Sequence, residues 1–194
     1  MQKLERKDLM GLEEYAQKRA EFRQGIIAHK LARTLHIGPN LTLLFEDRLT
    51  MQYQVQEMLR AERIFEVEGI QEELEAYNPL IPDGSNWKAT LLIEFADESE
   101  RRQALAKLIG IEDKVWVQVQ GHGKVRPIAD EDLERETEEK TSSVHFLRFE
   151  LTAEMVRALK QGAALDAGVD HPAYAHELRP VPDALRKSLV ADLT

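Results

Sequence analysis

Cysteine is missing from the 194-residue chain. Its absence removes disulfides, thiolate nucleophiles, zinc–thiolate centres and protein-ligated iron–sulfur clusters together. Nucleophile chemistry is left to Ser, Thr, Lys or a carboxylate. No run of five basic residues occurs, so no local patch offers itself to a phosphate backbone or an anionic lipid surface. No apolar stretch reaches the roughly 18 residues of a membrane span, and MQKLERKDLM has no apolar signal core. A soluble cytoplasmic protein is therefore expected. The sequence also lacks HExxH, paired Glu-x-x-His, GxGxxG after a strand, and GxSxG. GHGKV is too short for a phosphate loop, and IPDGSN reads as a turn. Repeats, low-complexity tracts and Gly/Ser linkers are absent as well. One domain over 1–194 is the expectation, with a sub-boundary near 80–86 as the only alternative.

What is present is a chain with 43% hydrophobic and 31% charged residues, enough for a sizeable core. Its 26 Lys and Arg stand against 35 Asp and Glu, a net charge of −9. An acidic surface repels nucleic acid and anionic membrane, so neither is an expected partner. Asp8 can cap a first helix with apolar positions at Leu9, Leu12, Ala16, Phe22 and Ile26. The period then changes to two, with Leu31, Arg33, Leu35 and Ile37 against Ala32, Thr34 and His36. Gly38-Pro39-Asn40 supplies turn chemistry before LTLLFE, which predicts a hairpin. Helices follow over 50–63 and 68–77, the second stopped by Asn78-Pro79.

WKATLLIEF (87–95) reads as a buried strand, and Asp97 with Glu100 opens a helix that Gly110 ends. VWVQVQ, Gly121-His122-Gly123 and KVRPIA predict a second hairpin. The acidic ADEDLERETEEK is either a solvated helix or a mobile loop. VHFLRFEL (144–151) alternates, with His145, Leu147 and Phe149 on one face and Val144, Phe146, Arg148 and Glu150 on the other. Thr152 caps a helix ending at Gly162, ALDAGVD is a further strand, and Pro182 opens a last helix through Leu193. This order predicts an α+β fold with a mostly antiparallel sheet. A ferredoxin-like or related arrangement is expected in the C-terminal part, with the N-terminal helix–hairpin–two-helix segment packed on it.

The 50–63 helix places Met51, Val55, Met58 and Leu59 on one side and Tyr53, Gln56, Glu57, Arg60 and Arg63 opposite. Glu62 projects into the apolar stripe, so it sits at a frayed end or is buried with a partner. The polar row is open to two readings: a solvated face, or a carboxylate–guanidinium–phenol cluster covered by another element. Among the histidines, His29 sits where helix passes to strand and His36 takes the wetter strand face. His122 lies at a hairpin tip, and His171 and His176 lack a helical metal spacing. His145, on an apolar strand face, is the one candidate proton carrier at neutral pH.

IIAHK, GPNLTLLFEDRLTMQYQVQEMLRAERI, ELEAYNPLIPDGSNWKATLLIEF, VHFLRFEL and GVDHPAY together resemble a bacterial family described as domain-of-unknown-function family 3501. Members tend to be encoded beside rubrerythrin and an iron–sulfur oxidoreductase. The resemblance therefore implies a link to peroxide or redox-stress handling and a redox partner protein, with no residue roles to carry over.

Three functional readings follow. The favoured one is a non-catalytic accessory or ligand-binding protein beside a redox partner. The second is a metal-dependent enzyme or metal-binding protein using Glu57, Glu62, Glu73 and His145. The third is a small-anion or nucleotide binder using Arg60, Arg63 and Lys30. A ligand site is expected where the 50–63 helix meets the sheet, built from Tyr53, Glu57, Arg60, Arg63 and His145. The residues name no cofactor, and homodimerisation is left open.

Overall fold

Local signals set most element boundaries in the computed structural model, which describes residues 2–194. Helix α1 spans Leu12–Leu31, the hairpin β1 (Thr34–Ile37) and β2 (Leu41–Glu46) follows, and then come α2 (Arg48–Glu62) and α3 (Val67–Tyr77). The remainder runs β3 (Asn86–Ile93), α4 (Glu98–Lys107), β4 (Val115–Val119), β5 (Lys124–Val125), β6 (Ile128–Ala129) and β7 (Val144–Glu150). It ends with α5 (Ala153–Lys160), β8 (Leu165–His171), β9 (Tyr174–Leu178) and α6 (Asp183–Val190).

The caps explain the helix starts. Asp47 accepts from the Thr50 N–H at 2.9 Å while Thr50 Oγ1 accepts from the Asp47 N–H at 2.9 Å, a reciprocal pair that fixes the entry to α2. Asp97 accepts from Glu100 N at 2.8 Å and Thr152 from Met155 N at 3.3 Å. Asp8 does not cap α1. It lies in a short 3-10 turn, Arg6–Asp8, and its carboxylate accepts from Glu5 N at 2.8 Å, so the long helix starts only after Gly11. The final helix stops at Val190, short of Leu193.

All strand pairs are antiparallel, and the strands form two sheets, ordered β1-β2-β3-β7-β6 and β5-β4-β8-β9. The α+β class holds. The C-terminal strands do not close into one ferredoxin-like sheet. Instead β3 and β7 pair with each other beside the N-terminal hairpin, while β4 and β8 leave for the second sheet. KVRPIA marks the division: Val125 pairs in one sheet and Ile128 in the other. The expected hairpin forms as β4–β5 but ends at Val125: Pro127 has no N–H to continue the ladder, and the chain crosses to the other sheet there.

The main core lies between the sheets and under α4, α5 and α6, with Leu43, Trp87, Leu91, Val117, Phe149 and Leu189 fully enclosed. A second apolar cluster joins Leu4, Met51, Val55, Leu59, Leu74 and Ile81 inside a helical layer made by α1, α2 and α3. Between these regions runs a buried polar network. Arg33, 2% exposed, donates to the carbonyls of Phe45 (2.8 Å) and Glu46 (3.1 Å), to Ser188 Oγ (3.1 Å) and to Asp192 (2.5 Å). His29 Nε2 lies 2.6 Å from Asp47 at its edge. Tyr174 of β9 donates to Ile37 O at 2.7 Å and accepts from Asn40 N at 3.0 Å, tying the second sheet to the turn of the first hairpin.

Glu46 points away from the sandwich core beneath the helical layer. Thr90 Oγ1 donates to its Oε1 at 2.6 Å, but Oε2 is buried without a partner among the described residues. Burial raises its carboxyl above the ordinary 4.5, with Thr50 and Thr90 opposing. The ionised form therefore costs stability as pH climbs from the unfolded value through the raised folded one. Glu46→Gln should gain about 1–2 kcal/mol at pH 8 and lose that advantage near pH 4, read by urea unfolding at both values. An equal effect at the two pH values would assign the gain to packing and not to charge.

Candidate functional site

Alternation along β7 divides its side chains between two environments. His145, Leu147 and Phe149 enter the core, while Phe146 and Arg148 face the helical layer. Lys88 of β3 stands directly opposite Arg148 in the register. Like charges facing across a ladder are unfavourable unless other groups neutralise them. Arg148 is neutralised: Glu131 takes its guanidinium bidentately at 2.7 and 2.7 Å, and Glu150 forms a second ion pair. Lys88 makes no ion pair among the described residues. Burial lowers its pKa from the ordinary 10.5, the Arg148 charge lowers it further and Lys3 adds to the effect, while Glu131 and Asp83 oppose.

Lys88 lines a cavity of about 460 Å³ between the sheet and the end of α3. Ala76, Tyr77, Pro79 and Leu80 form one wall, and Phe146, Leu147 and Arg148 form the other. Glu131 and Asp132 stand at its rim, supplied by the acidic segment after β6. That segment is neither helix nor free loop. Asp130, in the left-handed region at φ 49°, accepts from Phe146 N at 2.9 Å, and its own N–H donates to Phe146 O at 2.8 Å. Arg135 lies over the Phe146 ring at 4.6 Å and bonds Asp130 and Asp132, and Glu136 accepts from Gly110 N at 2.9 Å. The result is a strap fastened across β7 through Asp130, Glu131 and Arg135, with Glu136 tied to Gly110, while Glu134, Glu138, Glu139 and Lys140 are exposed.

On the core side of the same strand, His145 is fully buried. Its Nδ1 lies 2.6 Å from Asp130 Oδ2, while Nε2 faces Thr141 Oγ1 at 2.9 Å, Ser142 O at 3.1 Å and Glu112 Oε2 at 3.8 Å. Burial raises the Glu112 carboxyl, with hydrogen bonding to its own backbone and the nearby His145 opposing.

The row first expected to form a site is half enclosed. Helix α1 covers Tyr53 and Glu57. Glu57 accepts from Arg19 at 2.7 and 2.7 Å and from Tyr15 at 2.6 Å. The Arg19 hydrogen bond is the main reason its pKa falls to about 2. Tyr53 packs edge-on to Phe22, ring centres 6.0 Å apart, with Lys30 Nζ 5.6 Å from its ring centre. Arg60 and Arg63 are exposed, Arg63 as the left-handed C-cap of α2. Glu62 is exposed at the helix end, and Glu73 sits half-buried on α3, raised by burial and then by Glu62. Glu57, Glu62 and Glu73 thus lie in the helical layer and His145 between the sheets. The metal set proposed from sequence is not assembled; His145 meets Glu112 and Asp130 instead. Lys88 is signalled in the sequence only by its place between Trp87 and Ala89 in an apolar strand.

No helix is long and apolar enough to cross a membrane among the described residues. No curated protein matches the chain. The crystal structure of a protein of unknown function from Burkholderia pseudomallei K96243 is similar over 100% of both chains, at 52% identity and a TM-score of 0.94. The family model described as "Protein of unknown function (DUF3501)" matches residues 3–193, and the chain belongs to that family.

Proposed function

We propose that the protein is a ligand-binding module that holds a small organic monoanion, an aryl or alkyl carboxylate, in the Lys88 cavity. The observation that carries this reading is an unpaired, half-buried ammonium in an otherwise acidic protein. A half-buried cation with no direct ion pair is unfavourable, and an arriving carboxylate supplies the pair. Tyr77, Leu80 and Phe146 offer apolar walls to the rest of such a ligand, in a volume typical of small-molecule sites. Glu131 and Asp132 at the rim disfavour polyanions, which argues against a nucleotide. This moves the anion site expected at Arg60 and Arg63 to the opposite end of the helical layer. The accessory role beside rubrerythrin or an iron–sulfur oxidoreductase rests on the family resemblance alone.

A thermal-shift panel of benzoate, hexanoate and ADP tests the reading. Benzoate or hexanoate should raise Tm, with a stabilisation of about 2.7 kcal/mol at 100 times Kd, and ADP should not. Lys88→Met should abolish the shift. The unliganded variant should itself gain less than about 1 kcal/mol, because the half-exposed charge it loses is still partly solvated. Affinity should fall as pH rises through the lowered Lys88 pKa, since binding needs the charged amine. A carboxylate shift that survives in Lys88→Met, or no shift with either carboxylate, sinks the proposal.

A further inference from the structure

We propose a divalent metal site at His145 Nε2, independent of the Lys88 cavity. Glu112 and Thr141 Oγ1 would join the histidine as ligands, the Ser142 carbonyl would lie in reach, and Asp130 would act as the outer carboxylate. The ring is oriented for this role. Asp130 Oδ2 holds Nδ1 at 2.6 Å, the arrangement in which an outer carboxylate fixes the orientation of a ligating histidine. Asp130 is itself held by the Phe146 N–H and by Arg135, so the ring cannot swing freely.

Nε2 then points at three oxygens. Thr141 Oγ1 is 2.9 Å away, Ser142 O 3.1 Å and Glu112 Oε2 3.8 Å, with Glu112 Oε2 and Thr141 Oγ1 3.5 Å apart. Edges of this size are what ligands bonded at about 2.0–2.2 Å make around a zinc-sized ion. The donors are enclosed, with Glu112 6% exposed, Thr141 2% and His145 0%.

The second observation is Glu112 itself. Among the described residues its carboxylate receives no side-chain hydrogen bond except that 3.5 Å contact, and the Thr141 hydroxyl has one proton to share between Glu112 and Nε2. Its remaining support is hydrogen bonding to its own backbone, and a cation at Nε2 would balance its enclosed charge directly. Two carboxylates around one imidazole balance a dication. A nitrogen–oxygen set without sulfur favours zinc, iron(II) or manganese over copper(I).

The competing arrangement is a protonated His145 serving as counter-ion to both acids. Metal titration of the chelator-treated full-length protein separates the two. We expect about one equivalent of Zn²⁺ to bind and raise Tm, and Co²⁺ to develop ligand-field absorption in the visible. Asp130→Asn should weaken Zn²⁺ about 10–100-fold, and Glu112→Gln by more, each with an unchanged far-UV circular dichroism spectrum. Lys88→Met should bind the metal like the wild type, which keeps failure here distinct from failure of the cavity reading. Less than about a tenth of an equivalent of Zn²⁺, Mn²⁺ or Fe²⁺ on the wild type, or unaltered Zn²⁺ affinity in folded Glu112→Gln, overturns the site.

Discussion

Arg33→Met should lower the unfolding free energy by about 3–5 kcal/mol, read by urea unfolding at neutral pH. The guanidinium is 2% exposed and joins the β1–β2 hairpin to the C-terminal helix through Asp192 and Ser188. Burial already raises the Asp192 carboxyl above the usual 3.8, and its bond to Arg33 is the principal opposing influence. Without Arg33 the acid is left charged in the interior, and the carbonyls of Phe45 and Glu46 lose their donors. The sign with pH follows. A raised folded pKa means the penalty is absent when Asp192 is protonated and grows as pH rises through that value. The deficit should therefore shrink on acidification. Arg33→Met combined with Asp192→Leu should recover most of the loss, since replacing both members of a buried pair by apolar groups is far cheaper than removing one. A double variant as unstable as the single would mean that the carbonyl bonds, not the ion pair, hold this junction.

Gly38→Ala should cost about 2–5 kcal/mol, from two sources that add. At φ +70° the hairpin turn needs the left-handed region, which charges an L-residue about 1–2 kcal/mol. A methyl there would also stand 2.5 Å from Tyr174 Oη and 2.6 Å from the His176 ring, closer than packed carbons approach. Overpacking of that kind adds about 1–3 kcal/mol. The part that moves would be Tyr174, whose hydroxyl links the two sheets through Ile37 O and Asn40 N. Thermal unfolding of Gly38→Ala beside Gly38→Ala/Tyr174→Phe tests this. If the crowded hydroxyl matters, the second change should add less to the variant than it costs the wild type.

Signals that act over a few residues were readable in advance. The alternation of VHFLRFEL placed His145, Leu147 and Phe149 inward, as the burial of β7 shows. Asp97, Thr152 and Asn78-Pro79 marked helix ends because caps and proline act within one turn. Sheet membership was not readable, because pairing β3 with β7 and β4 with β8 joins segments about fifty residues apart, and no local pattern encodes the partner. YAHEL escaped notice as a strand because β9 is mostly exposed and lacks an apolar face. The acidic segment is a solvent-exposed loop and not a helix, and its ties to Arg148, Phe146 and His145 were not readable because none of these lies in the segment. Arg33 was the missed warning. Its place on the face with Leu35 and Ile37 was visible in the period-two pattern, and a guanidinium on such a face demands partners.

The two apolar clusters give the native state a seam. Helices α1 to α3 share a small core of their own, so hydrogen exchange should show their amides opening at lower free energy than those of the sandwich. The Lys88 cavity straddles that seam, with Tyr77 and Leu80 on one lip and Phe146 and Arg148 on the other. A ligand held there would touch both lips, and its binding should slow amide exchange in the helical layer.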